Sequence, residues 1–176
     1  QDRLNPQVKE AMRRMDWEFI TQEYPVVVKE ASQGLQRVRD IIKDLSFLAG
    51  PGETQVGEKT PTHLNELIDR AISSAKLPNG TRVLREFEGD ALAPIYPSRL
   101  EQALVNLINN AGEAVTGSGR VRVATKIRGH LAHVEIEDDG VGMDEATLQN
   151  IFTPYFTTRT AGRGTGLGLS IVNAIV

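Results

Sequence analysis

The sequence has no cysteine among its 176 residues, which excludes disulfides, thiolate catalysis and cysteine-held metal. It has no apolar run near the roughly 18–20 residues needed to cross a bilayer, and no signal-peptide pattern at its start. Neither sign of charge prevails: 20 Lys and Arg stand against 23 Asp and Glu, for a net charge of −3. That leaves no electrostatic footprint for nucleic acid or an anionic membrane surface. Short-period repeats and low-complexity tracts are also missing. These absences predict a soluble, cytoplasmic piece without nucleic-acid or membrane contact of its own, whether or not a parent protein is membrane-anchored. What is present is a hydrophobic fraction of 40%, enough to build a core. The length suits one medium domain, or a small domain with a helical attachment.

Turn residues cluster at Gly50-Pro51-Gly52, where helical periodicity stops, and this divides the chain into residues 1–52 and 53–176. In the first part, Asn5-Pro6 reads as a helix cap followed by proline at the first helical position. Val8, Met12, Met15 and Phe19 then recur at four, three and four residues. Tyr24-Pro25 suggests a break or a second start. Leu35, Val38, Ile42 and Leu45 form another stripe, with Leu48 following. Two short helices with such seams cannot bury them alone, so the pattern favours pairing with a second copy over packing on the domain that follows.

The second part alternates. A short strand over 60–64, a helix over 65–76, a turn at Pro78-Asn79-Gly80 and a strand over 83–87 come first. A long helix then opens at Pro97-Ser98 and runs to Val115, with Leu104, Leu107, Ile108 and Ala111 on its core side. A hairpin over 120–137 turns near Arg128-Gly129, and a glycine-rich segment leads into a last helix over 169–176. This mixture predicts an α+β fold, a two-layer sandwich with helices on one face of a mixed sheet. The last helix stops in an uncapped apolar run, which predicts that the native domain continues.

Four segments carry candidate chemistry. In the long helix, Asn106 and Asn110 are four residues apart and share a face. Their carboxamide oxygens are neutral hard ligands and their NH2 groups can donate to phosphate, although asparagines on a solvated face look the same. Asp138-Asp139-Gly140-Val141-Gly142-Met143 follows an alternating strand; a carboxylate there can accept from an exocyclic amine, and a ligand-free Asp-Gly turn has the same look. Ile151-Phe152-Thr153-Pro154-Tyr155-Phe156-Thr157-Thr158-Arg159 sets three aromatics around a proline. This suggests the hinge of a mobile flap, with Arg159 and Arg163 able to clamp phosphate and Phe152 and Phe156 also packing in the core. Last comes Gly162-Arg163-Gly164-Thr165-Gly166-Leu167-Gly168-Leu169, whose amides can face phosphate at a helix start. It is neither a Walker loop nor a Rossmann fingerprint.

In this order and spacing, the segments from about residue 60 to 176 resemble the ATP-binding domain of the GHKL superfamily, with its Bergerat-type fold. In the terms used for sensor histidine kinases they are similar to the N, G1, F and G2 boxes. The Phe-Thr-Thr-Arg run with a short flap resembles the nitrogen-regulatory branch of those kinases. Residues 30–48 resemble the second helix of their dimerisation and histidine-phosphotransfer domain. The resemblance implies ATP and Mg²⁺ as cofactors, with Asp138 on the adenine amine, Asn110 on Mg²⁺ and Asn106 near the phosphates. Gly140, Gly142 and Met143 would shape the adenine pocket. Gly162, Gly164, Thr165, Gly166, Leu167 and Gly168 would form the base of the flap, with Thr158 and Arg159 on the flap and Arg159 near the γ-phosphate. Asn106 and Arg159 are thus the candidate catalytic residues. Glu113 is a further candidate nucleotide contact, at a position where some related kinases carry lysine.

Hydrolytic members of that superfamily carry a water-activating glutamate four residues before the Mg²⁺-binding asparagine. Here that position holds Asn106, and a carboxamide cannot act as a general base. The resemblance therefore implies transfer of the γ-phosphoryl group to a histidine, for relay to the aspartate of a response regulator, from a homodimer. No histidine precedes His63, so the acceptor is expected outside this chain and the chain alone is expected not to phosphorylate itself. The alternatives are a nucleotide-binding dimeric scaffold without transfer activity, and a GHKL ATPase.

Overall fold

The computed structural model describes residues 5–14, 17–48, 58–159 and 164–176. Two compact units divide at Lys43 and Asp44. The expected boundary at residues 50–52 lies outside the described residues, as do Met15, Gly162 and Arg163.

The first unit is helical. In α1 (Pro6–Arg14), Asn5 caps as anticipated: its Oδ1 accepts from the Gln7 N–H at 3.0 Å, which satisfies one of the donors a helix start leaves open. Helix α2 (Trp17–Leu48) runs straight through Pro25, so the break expected at Tyr24-Pro25 does not occur. A proline in a helix interior removes one hydrogen bond and costs about 3 kcal/mol. A helix of 32 residues carries enough unbroken turns on both sides to span the defect. Leu35, Val38, Ile42 and Leu45 are exposed along this helix, Leu35 to 72%.

After the last residues of α2, the second unit carries β1 (Thr60–His63), α3 (Leu64–Ser74), β2 (Arg82–Phe87), β3 (Leu92–Ile95) and α4 (Pro97–Ala114). It ends with β4 (Arg120–Arg128), β5 (Leu131–Asp138), α5 (Glu145–Leu148) and α6 (Gly168–Ile175). The strands form two sheets: β1 pairs antiparallel with β3, while β4 lies between parallel β2 and antiparallel β5. The pairing of Pro61 with Pro94 explains why β3 was not legible in the sequence, since proline cannot donate to a ladder and reads as a loop.

Leu67, Ile68, Ala71 and Ile72 of α3 are buried, as their spacing required, against Leu104, Ile108 and Ala111 of α4 and Val121 and Val123 of β4. Leu107 departs from expectation and is only half-buried. A helix turns by about 100° per residue, which puts Leu107 off to one side, between the core stripe and the stripe of Asn106 and Asn110. Val105 packs on the core instead. The other face of β2-β4-β5 is charged: Arg122 meets Glu86 at 3.2 Å and Glu137 at 2.7 Å, and Lys126 meets Glu135 at 3.1 Å. Helices therefore cover one face, and long charged side chains cover the other.

Candidate nucleotide site on one face of a helix

The three asparagines of α4 do different work. Asn109 Oδ1 accepts from the Lys76 N–H at 2.7 Å, so this side chain fastens the chain leaving α3 and is structural. Asn106 turns the other way: its Nδ2 donates to the Gly168 carbonyl at 3.2 Å, and its Oδ1 accepts from Gln102 Nε2 at 3.2 Å. Asn110 Oδ1 accepts from Arg159 Nη2 at 3.0 Å. Gly168 faces both: a Cβ built there would stand 3.8 Å from Asn106 Cγ and 3.8 Å from Asn110 Nδ2. Two asparagines one turn apart, a glycine backbone and an arginine thus meet on one patch. Gln102 is a member the sequence reading missed; its place four residues before Asn106 is the signal that would have found it.

The strand end docks on the same helix. Asp138 closes β5, and its Oδ1 accepts from the Gly140 N–H at 3.0 Å. Val141 N–H donates to the Ala114 carbonyl, the last residue of α4, at 3.1 Å. Gly140 lies so close that a Cβ would stand 2.5 Å from the Ala114 carbonyl carbon. That approach requires glycine and fixes Asp138 relative to Asn110 through the rigid end of α4. Gly142 has a φ of +68°, a region glycine enters freely. Val141 and Met143 are exposed.

Asp139 is held differently from Asp138. It accepts from the Arg120 N–H at 2.6 Å and from Arg120 Nε at 3.1 Å. The Arg120 N–H first, then its guanidinium, hold this carboxyl below the usual carboxylate range. A folded pKa below the unfolded one contributes stability above the unfolded value, and that contribution is lost as pH falls through the folded value. Asp139→Asn is therefore expected to be less stable than wild type at neutral pH. The gap should close on acidification, as read by urea unfolding from neutral pH to about pH 3.

The aromatic segment reaches the glycine-rich segment through its backbone. Tyr155 N–H donates to the Gly166 carbonyl at 2.9 Å, and both residues have positive φ, +67° and +66°. Phe152, expected in the core, is 50% exposed; it directly follows the short α5 and its loop, which bury no residue, so no core surface is near in the chain. Phe156 is half-buried. Thr158 and Thr165 are exposed, and Thr165 Oγ1 accepts from the Leu167 N–H at 3.3 Å. Leu167 itself is 1% exposed: its side chain belongs to the core, and only its backbone is placed to meet a ligand. Arg159 Nη1 pairs with the Glu113 carboxylate, and Arg159 N–H donates to Thr157 Oγ1 at 3.2 Å.

Among the described residues no group of three or more His, Cys, Asp or Glu is arranged to hold a metal. The donor set at the patch is instead carboxamide oxygen from Asn110 and Asn106 beside one carboxylate, Glu113. Such a set suits a hard cation that keeps most of its shell for water and phosphate oxygens, as Mg²⁺ does.

Residues 95–176 match the family model described as histidine kinase-, DNA gyrase B-, and HSP90-like ATPase. Sporulation kinase E of Bacillus subtilis (strain 168) is 31% identical over 159 residues, 88% of this chain and 21% of that protein. The sensory histidine kinase/phosphatase NtrB of Rhodobacter capsulatus is 30% identical over 158 residues, 81% of this chain and 44% of its own length. The chain therefore spans less than half the length of both curated relatives. The solved catalytic domain of histidine kinase ThkA superposes with a TM-score of 0.56 at 30% identity, over 66% of this chain and 79% of that one.

Proposed function

We propose a function for this chain from the premise that it belongs to the histidine kinase-, DNA gyrase B-, and HSP90-like ATPases and carries the catalytic domain of a sensor histidine kinase. It binds ATP with Mg²⁺ and presents the γ-phosphate to a histidine supplied from outside this chain, for relay to the aspartate of a response regulator. The observation that carries this reading is the convergence on one face of α4: Asn106 against Gly168, Asn110 against Arg159, and the Asp138 loop docked on Ala114.

In this reading Asp138 accepts from the adenine amine at the end of β5. Asn110 would offer its oxygen to Mg²⁺, whose charge would offset that of the phosphates. Asn106 and the amides from Gly164 to Gly168 line the triphosphate, and Arg159 meets its terminal charge. Nothing at the position of Asn106 can take a proton from water, which favours transfer over hydrolysis. The exposed stripe of Leu35, Val38, Ile42 and Leu45 supports a homodimer through the N-terminal helices, so residues 1–52 read as part of the dimerisation segment. Among this chain's own histidines, His63 is engaged with Asp90 at 2.6 Å, and His130 and His133 lie at and beside the β4-β5 turn; the acceptor is none of these.

The test is radiolabelled ATP given to the chain with and without a separate dimeric helical segment bearing the acceptor histidine. Label is expected on the added histidine, as an acid-labile phosphoramidate, with phosphate release near background when the segment is omitted. Brisk phosphate release without an acceptor would make the chain an ATPase and sink the transferase reading.

A further inference from the structure

Glu113 stands beside the proposed ATP site, where a carboxylate suits a cation but repels the triphosphate itself. It lies one turn after Asn110 on the same face of α4, and its carboxylate pairs with Arg159 Nη1. The other end of that guanidinium, Nη2, donates to Asn110 Oδ1 at 3.0 Å. One arginine fork therefore spans Asn110 and Glu113 together. The arginine is also braced from behind. Its N–H is tied to Thr157 Oγ1 at 3.2 Å, and a Cβ on Gly164 would stand 3.1 Å from its Cδ.

The consequence is a site closed on itself. The oxygen best suited to a cation is occupied by the arginine, and the guanidinium best suited to phosphate is occupied by the glutamate. We infer that Glu113 is a positioning residue, which parks Arg159 over Asn110 while nucleotide is absent and yields it to the triphosphate on binding. The inference rests on the ATP-site reading above. The exchange is cheap in the right direction. Both side chains are more than a third exposed, and ion pairs at such exposure are weak; a triphosphate offers the same guanidinium several charged oxygens. The glutamate thus opposes nucleotide entry only slightly and keeps the arginine in reach.

The test is calorimetric titration of the 176-residue chain with ATP, with Mg²⁺ and with chelator, for wild type, Glu113→Gln, Arg159→Gln and the double variant. Glu113→Gln is expected to tighten ATP binding by about two- to five-fold, in chelator as well as in Mg²⁺. The gain should vanish when Arg159 is already Gln. Where Arg159→Gln binds too weakly to measure, Glu113→Asp keeps the charge but shortens the reach, and it should show the same gain. A gain that persists without Arg159, or is missing in Glu113→Asp, means plain charge repulsion and overturns the latch. Weaker binding in Mg²⁺ alone makes Glu113 a metal ligand and also overturns it. Wild-type binding with no change in Glu113→Gln removes the latch and leaves the ATP site standing, whereas no binding by wild type overturns both.

Discussion

Asp138→Asn is expected to lose about 1–3 kcal/mol of ATP affinity, roughly five- to 150-fold, with little change in stability. The geometry makes this a clean substitution. One carboxylate oxygen of Asp138 accepts from the Gly140 N–H at 3.0 Å, and the amide oxygen of Asn can keep that bond. The other oxygen becomes an NH2 group. Where the carboxylate would accept from the adenine amine, two donors then face each other, and a polar pair without a bond costs its full desolvation. Guanine presents an acceptor at the same place, so the preference for ATP over GTP should fall or reverse. Calorimetry with both nucleotides, alongside urea unfolding, separates the effect on the ligand from any effect on the fold. Unchanged ATP affinity would remove Asp138 from the adenine site.

The same loop shows how far sequence alone could be read. The order of the four segments was legible because glycine, asparagine and aspartate stand where ordinary helix and strand preferences disfavour them, and such local conflicts mark functional positions. Spacing also gave α3, α4, the β4-β5 hairpin and α6 to within a residue or two. The failures have physical causes. Pro25 predicts a local break, but about two helical turns before it and about six after it outvote one missing bond. Strand β3 hides behind Pro94, and its pairing with β1 is non-local. The division of labour within Asn106, Asn109 and Asn110 was invisible in composition. The Lys76 N–H bond to Asn109, against the Gly168 and Arg159 bonds of Asn106 and Asn110, separates the structural asparagine from the other two. Nor could the charge of Glu113 be understood without Arg159, which lies far along the chain and meets it only in the folded state.

The glycines of the last motif should separate into two opposite behaviours. Gly166 has φ +66°, and a Cβ there would stand 2.4 Å from the carbonyl carbon of Tyr155. The left-handed conformation costs an L-residue about 1–2 kcal/mol, and a backbone carbon cannot step aside as a side chain can. Gly166→Ala must therefore break the Tyr155 N–H bond to the Gly166 carbonyl and release Tyr155 from its own positive φ. We expect a loss of at least about 2 kcal/mol of stability, together with loss of ATP binding. Gly168 is the reverse case. It begins α6 without a positive φ, and an added Cβ meets nothing closer than 3.8 Å. Alanine is the better helix former by about 0.5–1 kcal/mol, so Gly168→Ala should hold or raise stability. Its methyl group nevertheless points at Asn106 and Asn110, where the proposed site puts the phosphates, so ATP affinity should fall all the same. Urea unfolding and calorimetry on the two variants test both statements. If Gly168→Ala binds ATP as wild type does, the phosphates do not lie between α4 and the start of α6, and the site must be drawn elsewhere.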